Sequence, residues 1–291
     1  MKKLLLIDGN ALLYRAYHAL PPLKSDGQLV NAVYGFFLIL TKVLDETLPD
    51  YVVAAFDRKE KTFRHEEYEG YKAHRPEMPE DLATQIPIIK RGLKAFEIPV
   101  LDKKRFEADD IIATMATQWS GKHKVVILSG DRDLLQLVDN TINVRSPGRG
   151  VKRMVEFDRK KVVEKYGIKP EFFVDYKALK GDSSDNIPGI KGIGKKRAER
   201  LVRNHGAVEK MYDNLDDVED SLKSKLAQNR ERVLKNKKLM SLHKDVELNL
   251  NRKDAKFIPD EKKVFSFFRE FGFQSLMNKY KKGGGQMNLD I

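Results

Sequence analysis

Apolar residues gather into short continuous runs at Leu4 to Ile7, Tyr51 to Phe56 and Lys124 to Leu128, each closed by a turn signal, and such runs predict buried strands. Between them the apolar positions fall at helical spacing, as in Asn31 to Thr47 and Asp109 to Trp119. Strands alternating with helices imply an α/β fold with a parallel-rich central sheet flanked by helices. The stretch from Lys59 to Pro79 breaks this rhythm: it is charged and aromatic, has no clean apolar stripe and ends in Pro76 and Pro79, so it is expected to project from the body. After Arg145 the strand signal fades. Helical, Lys-rich segments follow at Asp158 to Tyr166, Glu171 to Lys180, Lys195 to Asn204 and around Arg230 to Lys238. The Lys281-Lys282-Gly283-Gly284-Gly285 stretch has the composition of a flexible linker and leaves six residues after it.

Charge narrows the range of partners. The 55 Lys and Arg residues outnumber 43 Asp and Glu, for a net +12 and a pI near 9.5, which suits a polyanion such as nucleic acid, although a merely well-solvated surface fits the count too. The chain has no cysteine, so disulfides, thiolate zinc sites and a Cys nucleophile are excluded, and any metal must sit on oxygen or imidazole. Asp8 and Asn10 interrupt the apolar start before a signal-peptide core is built. No apolar run reaches the roughly 20 residues of a membrane helix. A soluble, cytoplasmic, monomeric protein is expected.

The acids are distributed with a pattern. Asp8, Asp57 and Asp131 each follow a predicted strand, and in an open parallel sheet those ends share the edge where ligands bind. Further acids stand in Glu107-Ala108-Asp109-Asp110, in Asp131-Arg132-Asp133 and in Asp182-Ser183-Ser184-Asp185, where Glu107 with Asp110 and Asp182 with Asp185 can face one side of a helical turn. So many carboxylates in a small volume repel unless a cation neutralises them. Oxygen ligands favour Mg²⁺ or Mn²⁺, and two such ions about 3.5–4 Å apart can clamp a scissile phosphate. Helix capping competes with this reading for Asp182, Asp185 and the Glu107 to Asp110 group. A strand end needs no acid, so Asp8, Asp57 and Asp131 are harder to assign to capping.

Two basic elements accompany the acids. Ile187-Pro188-Gly189-Ile190-Lys191-Gly192-Ile193-Gly194-Lys195-Lys196 reads as a helix-hairpin-helix, whose glycines let backbone N–H groups approach a phosphate while Lys191, Lys195 and Lys196 supply charge. A glycine-capped structural turn is the alternative. In the projecting segment, Arg64, Tyr68, Tyr71 and Arg75 share a narrow helical arc with Lys72 at its edge, a face able to hold phosphates and stack bases, or an ordinary surface helix.

Leu6-Ile7-Asp8-Gly9-Asn10, Ala55-Phe56-Asp57, Tyr71-Lys72-Ala73-His74-Arg75-Pro76, Phe106-Glu107-Ala108-Asp109-Asp110, Ser129-Gly130-Asp131-Arg132-Asp133-Leu134 and Lys180-Gly181-Asp182-Ser183-Ser184-Asp185-Asn186-Ile187-Pro188-Gly189 resemble, in order, the motifs of the 5′ nuclease domain of bacterial DNA polymerase I and its flap-endonuclease relatives. The resemblance spans about residues 2 to 280. It implies a PIN-like nuclease core over residues 1–170 with a helical arch at about 59–85. A helical DNA-binding region follows over 171–280, with its helix-hairpin-helix at about 182–205, and residues 281–291 form a tail. By the same resemblance Asp8, Asp57, Glu107, Asp109 and Asp110 serve a first Mg²⁺ or Mn²⁺ and Asp131, Asp133, Asp182 and Asp185 a second, partly through water. Lys72 and Arg75 meet the scissile phosphate, and Arg64, Tyr71, Gly189, Lys191, Gly192, Gly194, Lys195 and Lys196 contact DNA. A K⁺ at the hairpin, a substrate with a free 5′ end or 5′ flap, and an RNA primer hybrid also belong to this picture. Whether the chain is a stand-alone exonuclease or a domain of a polymerase stays open. The tail Gln286-Met287-Asn288-Leu289-Asp290-Ile291 resembles peptides that bind the sliding clamp through residues placed like Gln286, Leu289 and Ile291, although an unstructured terminus fits as well. Rival readings are a haloacid-dehalogenase-type phosphatase using Asp131 and Asp133, a topoisomerase-primase-like domain, and a non-catalytic DNA-binding scaffold.

Overall fold

The computed structural model describes residues 1–148 and 153–280. The chain runs through β1 (Lys3–Asp8), α1 (Gly9–Ala19), a small hairpin of β2 (Lys24–Ser25) and β3 (Gln28–Leu29), α2 (Asn31–Thr47), β4 (Tyr51–Ala55), α3 (Phe63–Glu67), α4 (Glu80–Ala83), α5 (Gln85–Ala95), β5 (Val100–Leu101), α6 (Ala108–Trp119) and β6 (Lys124–Leu128). A 3₁₀ turn at Asp133–Leu137 leads to β7 (Ile142–Pro147) and β8 (Met154–Phe157). Then come α7 (Arg159–Tyr166), α8 (Phe173–Lys180), the hairpin β9 (Gly181–Asp182) and β10 (Ile187–Pro188), α9 (Lys195–His205), α10 (Val208–Asp213), α11 (Asp220–Gln228), α12 (Arg230–Met240), α13 (Glu261–Glu270) and α14 (Gln274–Tyr280).

The central sheet has the order β5-β4-β1-β6-β7-β8. All its pairings are parallel except β7 with β8. Alternate residues of a strand face opposite sides. In β1, Leu4 and Leu6 join one apolar cluster with Ile111, Ile112 and Met115 of α6. Leu5 and Ile7 join the other, with Phe36 and Phe37 of α2 and Ile89 of α5. Both faces are therefore covered, as the continuous apolar runs require. The chain leaves β1 for β4 and β5 on one side and then crosses to β6 on the other, so the switch point lies beside β1, at the strand ends that carry Asp8 and, just beyond β6, Asp131.

Four expectations change. The sheet continues past Arg145, because β7 and β8 pair through Val144 with Phe157 and Arg145 with Glu156. The segment from 59 to 79 is not one projecting helix: α3 ends at Glu67, Tyr68 is extended, Lys72 sits at φ 56°, and Thr62, Arg64 and Tyr71 are buried. Asp182 and Asp185 belong to a tight hairpin rather than a helical turn. Finally, α13 and α14 pack Val264, Phe267, Phe268 and Leu276 against α2 and α5 on the nuclease core, away from the helices that precede them in sequence.

Candidate metal centre and nucleic-acid interface

Asp8 ends β1 and caps α1 at once: Oδ1 accepts from the Ala11 N–H at 2.9 Å and Oδ2 from the Ser129 hydroxyl at 2.5 Å. Asp57 Oδ1 likewise accepts from the Ala108 N–H at 2.7 Å at the start of α6, and Asn10 Oδ1 holds the Asp57 N–H at 2.9 Å. Strand-end acids thus do have capping work, contrary to the expectation, and each keeps carboxylate capacity for a ligand. Asp131 follows β6 and accepts the Asp133 N–H at 2.8 Å. Asp182 accepts the Ser184 N–H at 2.8 Å across the β9–β10 turn.

Electrostatics show what these groups lack. Burial pushes the Asp8 carboxyl up to about 7, against the Ser129 and Ala11 bonds that lower it, with Asp57 and Asp131 adding repulsion. Asp109 is raised well above the usual range by burial and by Asp131, Asp8, Asp57 and Glu107. Asp133 is raised by burial despite Lys177. Asp182 is instead held down at about 2: burial acts against it, but Lys177 and Ser184 prevail. Asp133, Asp182 and Asp185 each offer a carboxylate oxygen, and all three atoms lie within 4.8 Å of one another. A cavity of about 20 Å³, room for one ion or water, is lined by Lys72, Glu107, Asp109, Asp131, Asp133 and Asp185 among others.

Among the described residues, besides Arg64 behind Glu107, three cations pair with this group. Lys72 Nζ donates to Glu107 Oε1 at 2.6 Å, Arg75 Nη2 to Asp185 at 2.8 Å, and Lys177 Nζ bridges Asp133 and Asp182. Burial works against the Lys72 charge, but Glu107 and Asp185 more than restore it. Lys177 was passed over in the sequence. Its signal was a lysine inside Phe173–Leu179, a run that is buried throughout. Asp8, Asp57, Glu107, Asp109, Asp131, Asp133, Asp182 and Asp185 are eight carboxylates against these three cations. The donor set is all oxygen, so the residues fit two hard divalent ions, which nearly balance the remaining charge.

Three residues do not fit their expected roles. Asp110 is fully buried and takes Arg64 through both oxygens at 2.7 Å, with the Glu107 and His243 N–H groups as further donors, so no lone pair faces the cavity. Arg64 is 2% exposed and also donates to the carbonyls of Leu239 and Ser241, which places it out of reach of DNA. Tyr71 is buried too and gives its hydroxyl to Glu107 Oε2 at 3.1 Å. This triad holds Glu107 from one side while Lys72 reaches it from the other.

The hairpin loop resolves the glycines. A Cβ on Gly189 would stand 2.2 Å from the Lys180 carbonyl, so this glycine serves the crossing of β10 over the end of α8, and a DNA contact is not needed to explain it. Gly192 takes φ 89°, and Gly194 caps α9 with no side chain in the way. Ile190 and Ile193 are buried and anchor the loop, leaving Lys191, Gly192, Gly194, Lys195 and Lys196 exposed around the α9 N-terminus. Beside the acids opens a cleft of about 850 Å³, lined by Tyr14, Arg15, Arg75, Arg132, Lys165 and Lys180 among others. The tail residues Gln286, Leu289 and Ile291 lie outside the described residues.

Known proteins are similar to this chain in sequence and fold. The chain is similar to the DNA polymerase I of Bacillus caldotenax, 42% identical over 282 residues that make up 96% of this chain and 32% of that protein. It is 40% identical over 281 residues to the DNA polymerase I of Mycobacterium tuberculosis, covering 95% and 31%. The chain spans about a third of the length of these relatives. Among solved structures, a zinc-bound T5 5′-exonuclease has the same fold, with TM-score 0.67 at 22% identity over 97% of both chains. So does the catalytic core of Rad2 in complex with DNA substrate, with TM-score 0.58 at 17% identity over 96% of this chain and 92% of that one. The 5′-3′ exonuclease N-terminal resolvase-like domain matches residues 3–167 and the 5′-3′ exonuclease C-terminal SAM fold matches residues 168–263. With the carboxylate edge, the buried triad behind it and the hairpin loop in place over that whole span, the chain belongs to the 5′-3′ exonuclease family.

Proposed function

We propose that this chain hydrolyses DNA phosphodiester bonds at free 5′ ends and 5′ flaps using two Mg²⁺ or Mn²⁺ ions. The observation that supports the reading is the meeting of eight carboxylates at one edge of the sheet, where, among the described residues, Lys72, Arg75 and Lys177 pair with four of them from the cavity side. Asp8, Asp57, Glu107 and Asp109 would hold the first ion, and Asp131, Asp133, Asp182 and Asp185 the second. When bound, the pair supplies an activated water and stabilises the leaving oxygen. The protein's own part is positioning and charge. Lys72 and Arg75 exchange Glu107 and Asp185 for the oxygens of the reacting phosphate, and Lys177 keeps Asp133 and Asp182 in register. Arg64, Asp110 and Tyr71 fix Glu107 from behind. The exposed amides and lysines around Gly192 to Lys196 hold duplex by its backbone, without reading sequence, and a K⁺ there would complete the contact.

Action on RNA primers, a cytoplasmic monomer and a clamp contact through Gln286, Leu289 and Ile291 belong to the same proposal. The test is purified protein on end-labelled 5′-flap, nicked, blunt and single-stranded DNA with Mg²⁺ or with chelator. Short 5′ products that depend on Mg²⁺ and on a free 5′ end support the reading. Cleavage in chelator, or none with Mg²⁺, overturns it.

A further inference from the structure

Among the described residues, Arg64, Lys72, Arg75 and Lys177, which line the two cavities of the site, all pair with carboxylates. Arg132, Lys165 and Lys180 differ. Each lines the cleft beside the acids, and among the described residues none has a carboxylate within ion-pair distance. Two of them are seated on aromatic rings instead. Lys165 Nζ stands 4.6 Å from the centroid of Phe157 and 5.7 Å from that of Tyr166, and Lys180 Nζ stands 5.8 Å from that of Tyr176. A ring face positions an ammonium without cancelling its charge, so these amines are held in place yet remain available to an anion.

The three cations also act on one another. Lys165 is depressed by burial and then by Arg132, Lys161 and Lys195, the last of these at the start of α9. Arg132, Lys165 and Lys180 line the same cleft as Asp131 and Asp133, and Lys195 at the start of α9 is near enough to act on Lys165. Tyr166, in the same lining, is 7% exposed, and its buried hydroxyl has no hydrogen-bond partner among the described residues.

We infer that Arg132, Lys165 and Lys180 form a phosphate-holding wall for the duplex backbone of the substrate between the reacting phosphate and the part gripped by the hairpin loop. The inference rests on the nuclease reading above and adds to it a binding surface made of ring-seated cations. Backbone contacts of this kind position the substrate and carry no sequence preference. Each one lost lowers the salt dependence of duplex binding by about 0.9 in the log–log slope.

The experiment is salt-dependent binding of a 5′-flap duplex and of a single strand, without divalent ions, to the full chain and to Lys165→Ala/Lys180→Ala. Lys161→Ala serves as a control for net charge, since this exposed residue of the same helix pairs with Glu164 at 3.4 Å. The double variant is expected to bind duplex at least about tenfold more weakly near 0.1 M salt, with a slope reduced by about 1 to 2. The control keeps both values, and the single strand shows no comparable loss. A double variant that matches wild type on duplex, an equal loss in Lys161→Ala, or a loss confined to the single strand overturns the assignment. Mg²⁺-dependent cleavage by wild type, measured alongside, shows that the nuclease reading stands when the wall does not.

Discussion

Replacing Arg64 tests whether the conspicuous arginine of the arch segment is an interior strut or a DNA contact. Its guanidinium is 2% exposed, pairs through two 2.7 Å bonds with the fully buried Asp110, and satisfies the carbonyls of Leu239 and Ser241. Arg64→Met removes these bonds and strands the Asp110 carboxylate with only the Glu107 and His243 N–H groups to stabilise it. Breaking a buried ion pair by removing one partner costs about 3–5 kcal/mol, and in a chain of this size that lowers Tm by about 5–8 °C. Urea unfolding should show an earlier midpoint with an unchanged slope. Adding Asp110→Asn removes the stranded charge while keeping an acceptor for His243, and is expected to recover about 1–2 kcal/mol. An Arg64→Met protein with wild-type stability that merely binds DNA more weakly would refute the reasoning.

Other outcomes follow from the same geometry. The Asp8 carboxyl is raised by burial to about 7 from its ordinary value, so the folded state holds its proton more tightly than the unfolded chain. Its contribution to stability is full below about pH 4 and is lost as pH rises through about 7, a change of a few kcal/mol in order of magnitude. Mg²⁺ should therefore raise the melting temperature more at pH 8 than at pH 5.5, and an equal rise at both would count against a buried carboxylate site. Lys72→Ala should slow single-turnover cleavage with little loss of affinity, while Lys195→Ala with Lys196→Ala weakens duplex binding and flattens its salt dependence. An effect of Lys72→Ala on affinity alone contradicts its role. Gly189→Ala should be destabilising, because its Cβ would meet the Lys180 carbonyl at 2.2 Å. Normal unfolding combined with reduced DNA affinity would return Gly189 to the interface. A chain cut after Gly285 should lose affinity for the cognate sliding clamp and keep its nuclease rate, and equal clamp binding with and without the tail ends that proposal.

The layered core was legible because β1, β4, β6 and α2 are long, apolar and consistent with one period each. The edge pair β7 and β8 was not: Ser146, Pro147 and Glu156 dilute the apolar signal where a strand has solvent on one side. Residues 171–280 were placed in one helical region, whereas Phe267 and Phe268 of α13 pack on the nuclease core with α2 and α5. At the site the acids stood out by their place after strands, whereas their second duty as caps depends on where α1 and α6 begin. Arg64 read as a cation on an exposed face and Lys177 was passed over, because residue type carries no record of burial. Only the fold reveals Asp110 behind the one and Asp133 with Asp182 beside the other.

The claim on which the rest depends is that two divalent ions sit among these carboxylates and drive cleavage. Counting bound Mn²⁺ in the wild type and in Asp182→Asn, together with the single-turnover rate of each on a 5′-flap duplex, tests it directly. The account predicts two ions in the wild type, one in the variant, and a rate at least about a hundredfold lower in the variant at unchanged DNA affinity. An Asp182→Asn protein that binds as many ions and cuts as fast as wild type would leave Asp182 as a turn-former and contradict the two-ion centre.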